Sequence, residues 1–224
     1  MALDPRSLDA LTFDCYGTLI DWDGGIRSAL ARVPRLAGLV LARLVRDREE
    51  AERAFLGHPF RLYGSVLADS LVEAARRQGR RLLASDTQDL AASMGSWPPF
   101  ADSARSLACL AERYRIMILS NVETRVLEES LRLLGSPPVE LVTAEQVESY
   151  KPAPAHWHIA LARLALPRER VVHVGGSLYH DIGPACALGF RSVWIDRRGE
   201  RDARGTHPAA IFPDLAGLTG AFGI

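Results

Sequence analysis

Four short polar clusters in this chain carry residue types that can do chemistry. Asp14 ends the apolar run Ala10-Leu-Thr-Phe13, with Thr18 four residues on. Ser120 and Asn121 follow Arg115-Ile-Met-Ile-Leu119, Lys151 stands before Pro152, and Gly176-Ser177-Leu-Tyr-His-Asp181 follows Val171-Val-His-Val174. A carboxylate at a strand end is a usable covalent nucleophile if it stays ionised and aimed. A nearby lysine favours the ionised form, typically lowering a carboxyl pKa by about 1–3 units. Gly17 permits a tight turn, and Thr18, Ser120 and Asn121 offer hydroxyls and an amide to orient a substrate or an ester. Each cluster alone reads as a cap, a turn or solvated surface. Four of them, in this order on successive elements, do not.

The elements that must position these residues are strands alternating with helix-period segments, the pattern of βα units around a parallel sheet. Strands are expected at Ala10–Phe13, Arg115–Leu119, Val139–Val142, Val171–Val174 and Ser192–Ile195. Asp102 or Ser103 is expected to cap a helix with Leu107, Leu110 and Ala111 inward. Glu123–Leu134 is a helix stopped by Gly135 and Pro137-Pro138, and Pro154–Leu164 is another. Residues 22–96 hold no convincing strand, and Ser65–Gln78, ended by Gly79, is their best helix. Met94-Gly-Ser-Trp-Pro-Pro99 closes this section. The expected fold is α/β: a Rossmann-like parallel-sheet core of residues 1–20 and 97–224, with an inserted α-helical cap subdomain over 21–96. Asp196–His207 is a polar loop without an assigned role. In such sheets ligands bind beyond the carboxyl ends of the strands, where all four clusters fall.

Lys plus Arg and Asp plus Glu balance at 27 each, and 48% of residues are apolar. A chain of this kind buries a core and has no general affinity for nucleic acid or anionic membrane. The three cysteines, Cys15, Cys109 and Cys186, form no C-x-x-C pair, as expected of reduced thiols. Residues 1–10 have no apolar signal region, and no apolar run approaches the roughly 20 residues needed to span a bilayer. A cytoplasmic protein acting on a small molecule is expected, and the apolar helical section is compatible with a homodimer.

Phe13-Asp-Cys-Tyr-Gly-Thr-Leu19 resembles the first motif of the haloacid dehalogenase superfamily, whose Asp is the nucleophile. Leu119-Ser-Asn121 is similar to its second motif and Tyr150-Lys-Pro152 to its third. Gly175-Gly-Ser-Leu-Tyr-His-Asp181, running on to Ala185 and Gly189, resembles the fourth. Most members are magnesium-dependent phosphatases with a second Asp two residues after the nucleophile, where this chain has Tyr16. Their fourth motif carries an Asp before the Ser, where this chain has Gly176. Only Asp14 and Asp181 remain to hold a magnesium ion, and loss of a general acid is worth roughly 10²–10⁴ in rate. Asp-x-Tyr-Gly-Thr is instead the pattern of the L-2-haloacid dehalogenases, which use no metal or other cofactor.

In that reading Asp14 displaces halide from a short L-2-haloalkanoate, Lys151 and Ser120 help hold the carboxylates, and Asp181 assists the water that cleaves the ester. The resemblance also implies an Arg facing the halide, for which Arg46 and Arg48 in Leu44-Val-Arg-Asp-Arg-Glu-Glu50 are the candidates. It implies a pocket role for Trp157, six residues after Lys151, and for Tyr16 and Ser177. Where those dehalogenases carry Ser-Ser-Asn in the fourth motif, this chain reads Gly176-Ser177-Leu178, a departure at the step that handles water. The alternatives are a magnesium-dependent phosphatase using Asp14 and Asp181, and a non-catalytic relative that binds a small anion. Cys15 should point away from Asp14 on a strand. His156 and His158 diverge on a helix and make a poor metal pair, and His180, next to Asp181, either touches the site or, the preferred reading, serves as a surface or capping residue.

Overall fold

The computed structural model of the protein describes residues 3–56, 59–136, 139–200, 202 and 205–224. The expected helix stop at Pro137-Pro138 lies outside them, as do Arg201, Ala203 and Arg204 of the polar loop. Strands β1 (Ala10–Phe13), β2 (Arg115–Ser120), β3 (Val139–Thr143), β4 (Val171–Gly175), β5 (Arg191–Ile195) and β6 (Ala210–Phe212) pair in the order β3-β2-β1-β4-β5-β6. Every pairing is parallel. The α/β parallel-sheet expectation therefore holds. The order reverses between β1 and β4, and a doubly wound sheet opens its ligand crevice at such a switch point.

Side chains alternate across the sheet. Leu11, Phe13, Ile116, Ile118, Val172 and Val174 enter one apolar cluster, and Ala10, Met117, Leu119 and Val171 enter another. Both faces are covered, so β1 is buried throughout, as expected of a central parallel strand. The helices after β1 are α1 (Trp22–Ala31), α2 (Leu41–Phe55), α3 (Tyr63–Arg77) and α4 (Ala84–Ser93). The later ones are α5 (Ser103–Ala111), α6 (Thr124–Leu133), α7 (Ala144–Val147), α8 (Ala155–Leu164), α9 (Gly183–Ala187) and α10 (Leu215–Phe222).

Helices α1–α4 fill the section between β1 and α5. The chain leaves the sheet and returns to it side by side: Asp21 N donates to Pro98 O at 2.8 Å and Phe100 N to Leu19 O at 3.1 Å. Apolar residues of α2 and α3, including Leu44, Leu67 and Leu71, join the same cluster as Leu11 and Phe13. No helix among the described residues is long and apolar enough to cross a membrane.

Asp102, one of the two expected caps, stands at the N-cap of α5, but its side chain makes no capping bond. Asp102 receives Arg197 and the backbone N–H of Leu215, while Ser103 Oγ donates to Leu19 O at 2.7 Å, so tertiary partners outbid the local one. Strand β6 was not expected, because three residues on a sheet edge are too few to show a period.

Candidate active site

The crossing point of β1 and β4 gathers the polar clusters. Asp14 N donates to Val174 O at 2.9 Å, and Gly17 (φ 94°) turns the chain back so that Thr18 faces the carboxylate. Lys151 Nζ lies 2.8 Å from Asp14 Oδ1, 2.7 Å from Asp181 Oδ1 and 2.8 Å from Leu119 O. Thr18 Oγ1 donates to Asp14 Oδ2 at 2.7 Å, and Ser177 N donates to Asp181 Oδ2 at 3.1 Å. Both carboxylates and the ammonium are buried. Asp181 is delivered by one wide turn over Leu178–Ile182, in which Ile182 N reaches back to Ser177 O. Such turns place an extra residue on a site wall.

The charges settle unevenly. Burial, then the neighbouring Asp181, push the Asp14 carboxyl above its ordinary value, and Lys151 and Thr18 only partly offset them. Lys151 does lower it, as expected, but is outweighed, because burial disfavours the charged form and a second carboxylate repels it. Asp181 is also buried, yet Lys151 and His173 hold it well below the carboxylate range. Lys151 is held charged, its burial outweighed by Asp14 and Asp181.

The remaining expected residues divide. Ser120 lines the cavity beside Asp14. Asn121 lines it too, but its amide is occupied: Nδ2 donates to Lys151 O at 3.0 Å and Oδ1 accepts from Lys151 N at 2.7 Å. It holds the Lys151 backbone rather than presenting its amide to a ligand. All three Lys151 protons are likewise committed to protein acceptors. Tyr16 and Ser177 line the cavity; the Tyr16 hydroxyl meets Ser130 Oγ at 2.8 Å, and Ser177 Oγ accepts from His180 N at 3.0 Å.

Of the two arginines, Arg48 is buried and lines the cavity, whereas Arg46 is solvent-exposed and absent from its wall. The two positions point apart on α2, so only one of them can face inward. Trp157 is corrected as well: it is fully buried in the second apolar cluster, edge-on to His173 at 5.3 Å, and does not reach the cavity. Cys15, just past the end of β1, lies in the first apolar cluster and not on the cavity wall, in line with the expectation. His156 is buried against Ser120 O at 3.2 Å, its pKa lowered to about 3 by burial, and exposed His158 diverges from it.

His180 lines the cavity, against the preferred reading of it, and burial favours its neutral form. The sequence reading missed other wall residues. Glu52 and Tyr63 join the wall from α2 and α3. Glu52 stands one helical turn after Arg48, a spacing that already pairs such charges. Arg197, from the polar loop, donates through Nε and Nη2 to Thr18 O at 3.0 and 2.8 Å and stacks 3.8 Å over Phe100. No local pattern marks it. The cavity encloses about 610 Å³.

A magnesium shell would be thin here. That ion wants octahedral oxygen ligands, and each of the four oxygens of Asp14 and Asp181 already accepts one hydrogen bond, with Lys151 on one oxygen of each. A Cβ on Gly176, where a further carboxylate would stand, would lie 2.8 Å from Gly17 O. No group of three or more His, Cys, Asp or Glu is placed to hold a metal among the described residues.

A doubly wound parallel sheet with two buried carboxylates sharing one lysine at its switch point marks an α/β protein with a carboxylate-based site where such sheets bind ligands. The family model of the haloacid dehalogenase-like hydrolases matches residues 8–189, and the chain belongs to that family. It is 28% identical over 203 residues to (S)-2-haloacid dehalogenase 4A of Burkholderia cepacia, covering 86% of this chain and 85% of that one. It is 22% identical to haloacetate dehalogenase H-2 of Moraxella sp. (strain B), over 87% and 88% of the two chains. The fold matches that of the L-2-haloacid dehalogenase RSc1362 with a TM-score of 0.85 at 23% identity, over 97% and 99% of the chains. It also matches the magnesium-bound HAD-hydrolase YfnB of Bacillus subtilis at 0.83 and 17% identity, over 97% and 99%. The same fold therefore serves both kinds of protein.

Proposed function

We propose that the protein is a metal-independent 2-haloacid dehalogenase that displaces halide from a short L-2-haloalkanoate through an ester on Asp14. The observation that carries this is the buried Asp14–Lys151–Asp181 bridge with Tyr16, not a carboxylic acid, two residues after the nucleophile. Halide leaves as a stable anion, so nothing has to protonate it. The names of the relatives agree with this reading.

Asp14 attacks the α-carbon, the carbon–halogen bond breaks with inversion, and Arg48 meets the departing anion. Ser120 donates to the substrate carboxylate, while Lys151 and Thr18 keep Asp14 aimed. Esterification removes the Asp14 charge and leaves Lys151 to Asp181. Water, held by Asp181 and Ser177, then adds to the ester carbonyl. The acyl–oxygen bond breaks, the hydroxy acid takes a water proton, and the second proton leaves to solvent. Helices α1–α4 close over the crevice and exclude bulk water, a common use of such lids.

The test is chloride release from L- and D-2-chloropropionate with and without EDTA, for the parent and for Asp14→Asn. Release that is L-selective, survives EDTA and is lost in the variant is expected. Magnesium-stimulated hydrolysis of p-nitrophenyl phosphate without halide release would sink the reading.

A further inference from the structure

The wall opposite Asp14 holds a buried group that the reaction above does not use. Arg48 is 1% exposed and Glu52 8% exposed, one turn apart on α2. Arg48 Nη2 lies 2.8 Å from Glu52 Oε2, and the other Glu52 oxygen accepts the Tyr63 hydroxyl at 2.6 Å. Tyr63 stays a donor, since burial and then Glu52 push its phenol well above its ordinary value. Both oxygens of Glu52 are thus locked. Among the described residues Arg48 has besides only a long contact of 3.4 Å to Ser70 Oγ, its Nε is without a partner, and its guanidinium lies 5.3 Å from the centre of the Trp22 ring.

An arginine that meets an anion normally does so with its full charge. Here a carboxylate in direct contact cancels most of that charge, in a setting where water cannot screen it. The second carboxylate pair, Asp14 and Asp181, already exceeds its single ammonium by one charge. Arg48 and Glu52 together therefore offer an anion donor geometry without net positive charge.

We propose that Glu52 is a specificity-determining residue that weakens the hold of Arg48 on the departing halide, so that the product anion is released rather than retained. Glu52 touches neither substrate nor halide; it acts through Arg48, and Tyr63 keeps it in register. This rests on the reading of Arg48 as the halide-facing group.

Charge compensation and mere scaffolding predict opposite signs. If Glu52 only props Arg48, its loss loosens the guanidinium and weakens halide binding. If it compensates the charge, its loss strengthens binding. The experiment is a bromide titration of parent and Glu52→Gln protein without substrate, read by calorimetry and by saturable quenching of tryptophan fluorescence. The amide keeps the shape: its oxygen can accept from Arg48 while its NH2 donates to the Tyr63 oxygen. Bromide should bind the variant about tenfold tighter or more, a modest value for losing a contacting buried charge. Bromide inhibition of turnover should tighten in parallel, with kcat falling as product release slows. Unchanged or weaker binding overturns the proposal. Glu52→Met repeats the test if the amide variant does not fold. Because binding is read without turnover, failure of the substrate assignment shows separately, as absent halide release. Saturable binding in neither protein removes Arg48 from its role and this proposal with it.

Discussion

At the scale of single residues, the site is governed by three buried charges that do not cancel. Lys151 bridges Asp14 and Asp181, and its replacement by Met leaves the two carboxylates facing each other without that ammonium. Breaking a buried pair in this way costs about 3–5 kcal/mol. Both carboxyl pKa values then rise above their unfolded values, so the folded state binds the extra protons and the deficit shrinks as pH falls. Urea denaturation of Lys151→Met should show a larger loss against the parent at pH 8 than at pH 5; an equal loss at both would contradict the charge argument. The raised carboxyl of Asp14 makes a second prediction. The nucleophile must be ionised, so kcat/KM should fall on acidification with a midpoint above the ordinary value of 3.8. Asp181→Asn removes the repelling charge and should move that midpoint to lower pH. It would be read in single-turnover halide release, with the trapped ester visible as added mass. A midpoint that does not move would assign the limb to another group.

At the scale of elements, the loops after β1 and β4 touch so closely that they set each other's shape. A Cβ on Gly176 would meet Gly17 O at 2.8 Å and Thr18 Oγ1 at 3.2 Å, and the first of these is backbone that cannot swing aside. Gly176→Asp should therefore lower stability by about 1–3 kcal/mol, the usual cost of overpacking. It should also fail to create magnesium-dependent phosphatase activity. Thermal unfolding and a p-nitrophenyl phosphate assay over a magnesium series check both halves, and metal-stimulated turnover would overturn the second. The contact between these loops was not legible in the chain. It requires β4 to lie beside β1, although 157 residues separate Asp14 from Val171.

At the scale of the whole molecule, the helical section is tied to the sheet by few polar bonds. The Tyr150 hydroxyl donates to Arg61 O, and Gly64 N donates to Glu123 Oε1 at 2.8 Å. Tyr150→Phe keeps the ring against Phe60 and Tyr63 and removes only the hydroxyl bond. Its stability cost should be about 1 kcal/mol. If the helices serve as a lid, KM for the haloacid should rise several-fold, a change measured by steady-state kinetics. An unchanged KM would mean that this bond does not hold the closed form.

What the sequence by itself determined are the features carried by short range. Apolar runs ending in Asp14, Ser120 and Gly175 specify strands, because a strand buried on both faces has to be continuously apolar. The position of Asp14 just past β1, and of Lys151 and Asp181 in the segments that follow β3 and β4, then agrees with how any parallel sheet is wound. Cys15 stays off the cavity wall, in line with what alternation alone suggests. What only the tertiary structure decided are features fixed by the approach of distant segments. The net rise of the Asp14 pKa depends on burial and on Asp181, neither of which has a local sign. The choice of Arg48 over Arg46 depends on which face of α2 meets α3. Trp157 was lost to the core because its ring packs among Met117, Leu119 and Val142 and against His173, and Arg197 reached Thr18 from a loop with no pattern. Local periodicity records which way a side chain points relative to its neighbours; only packing records what it meets there.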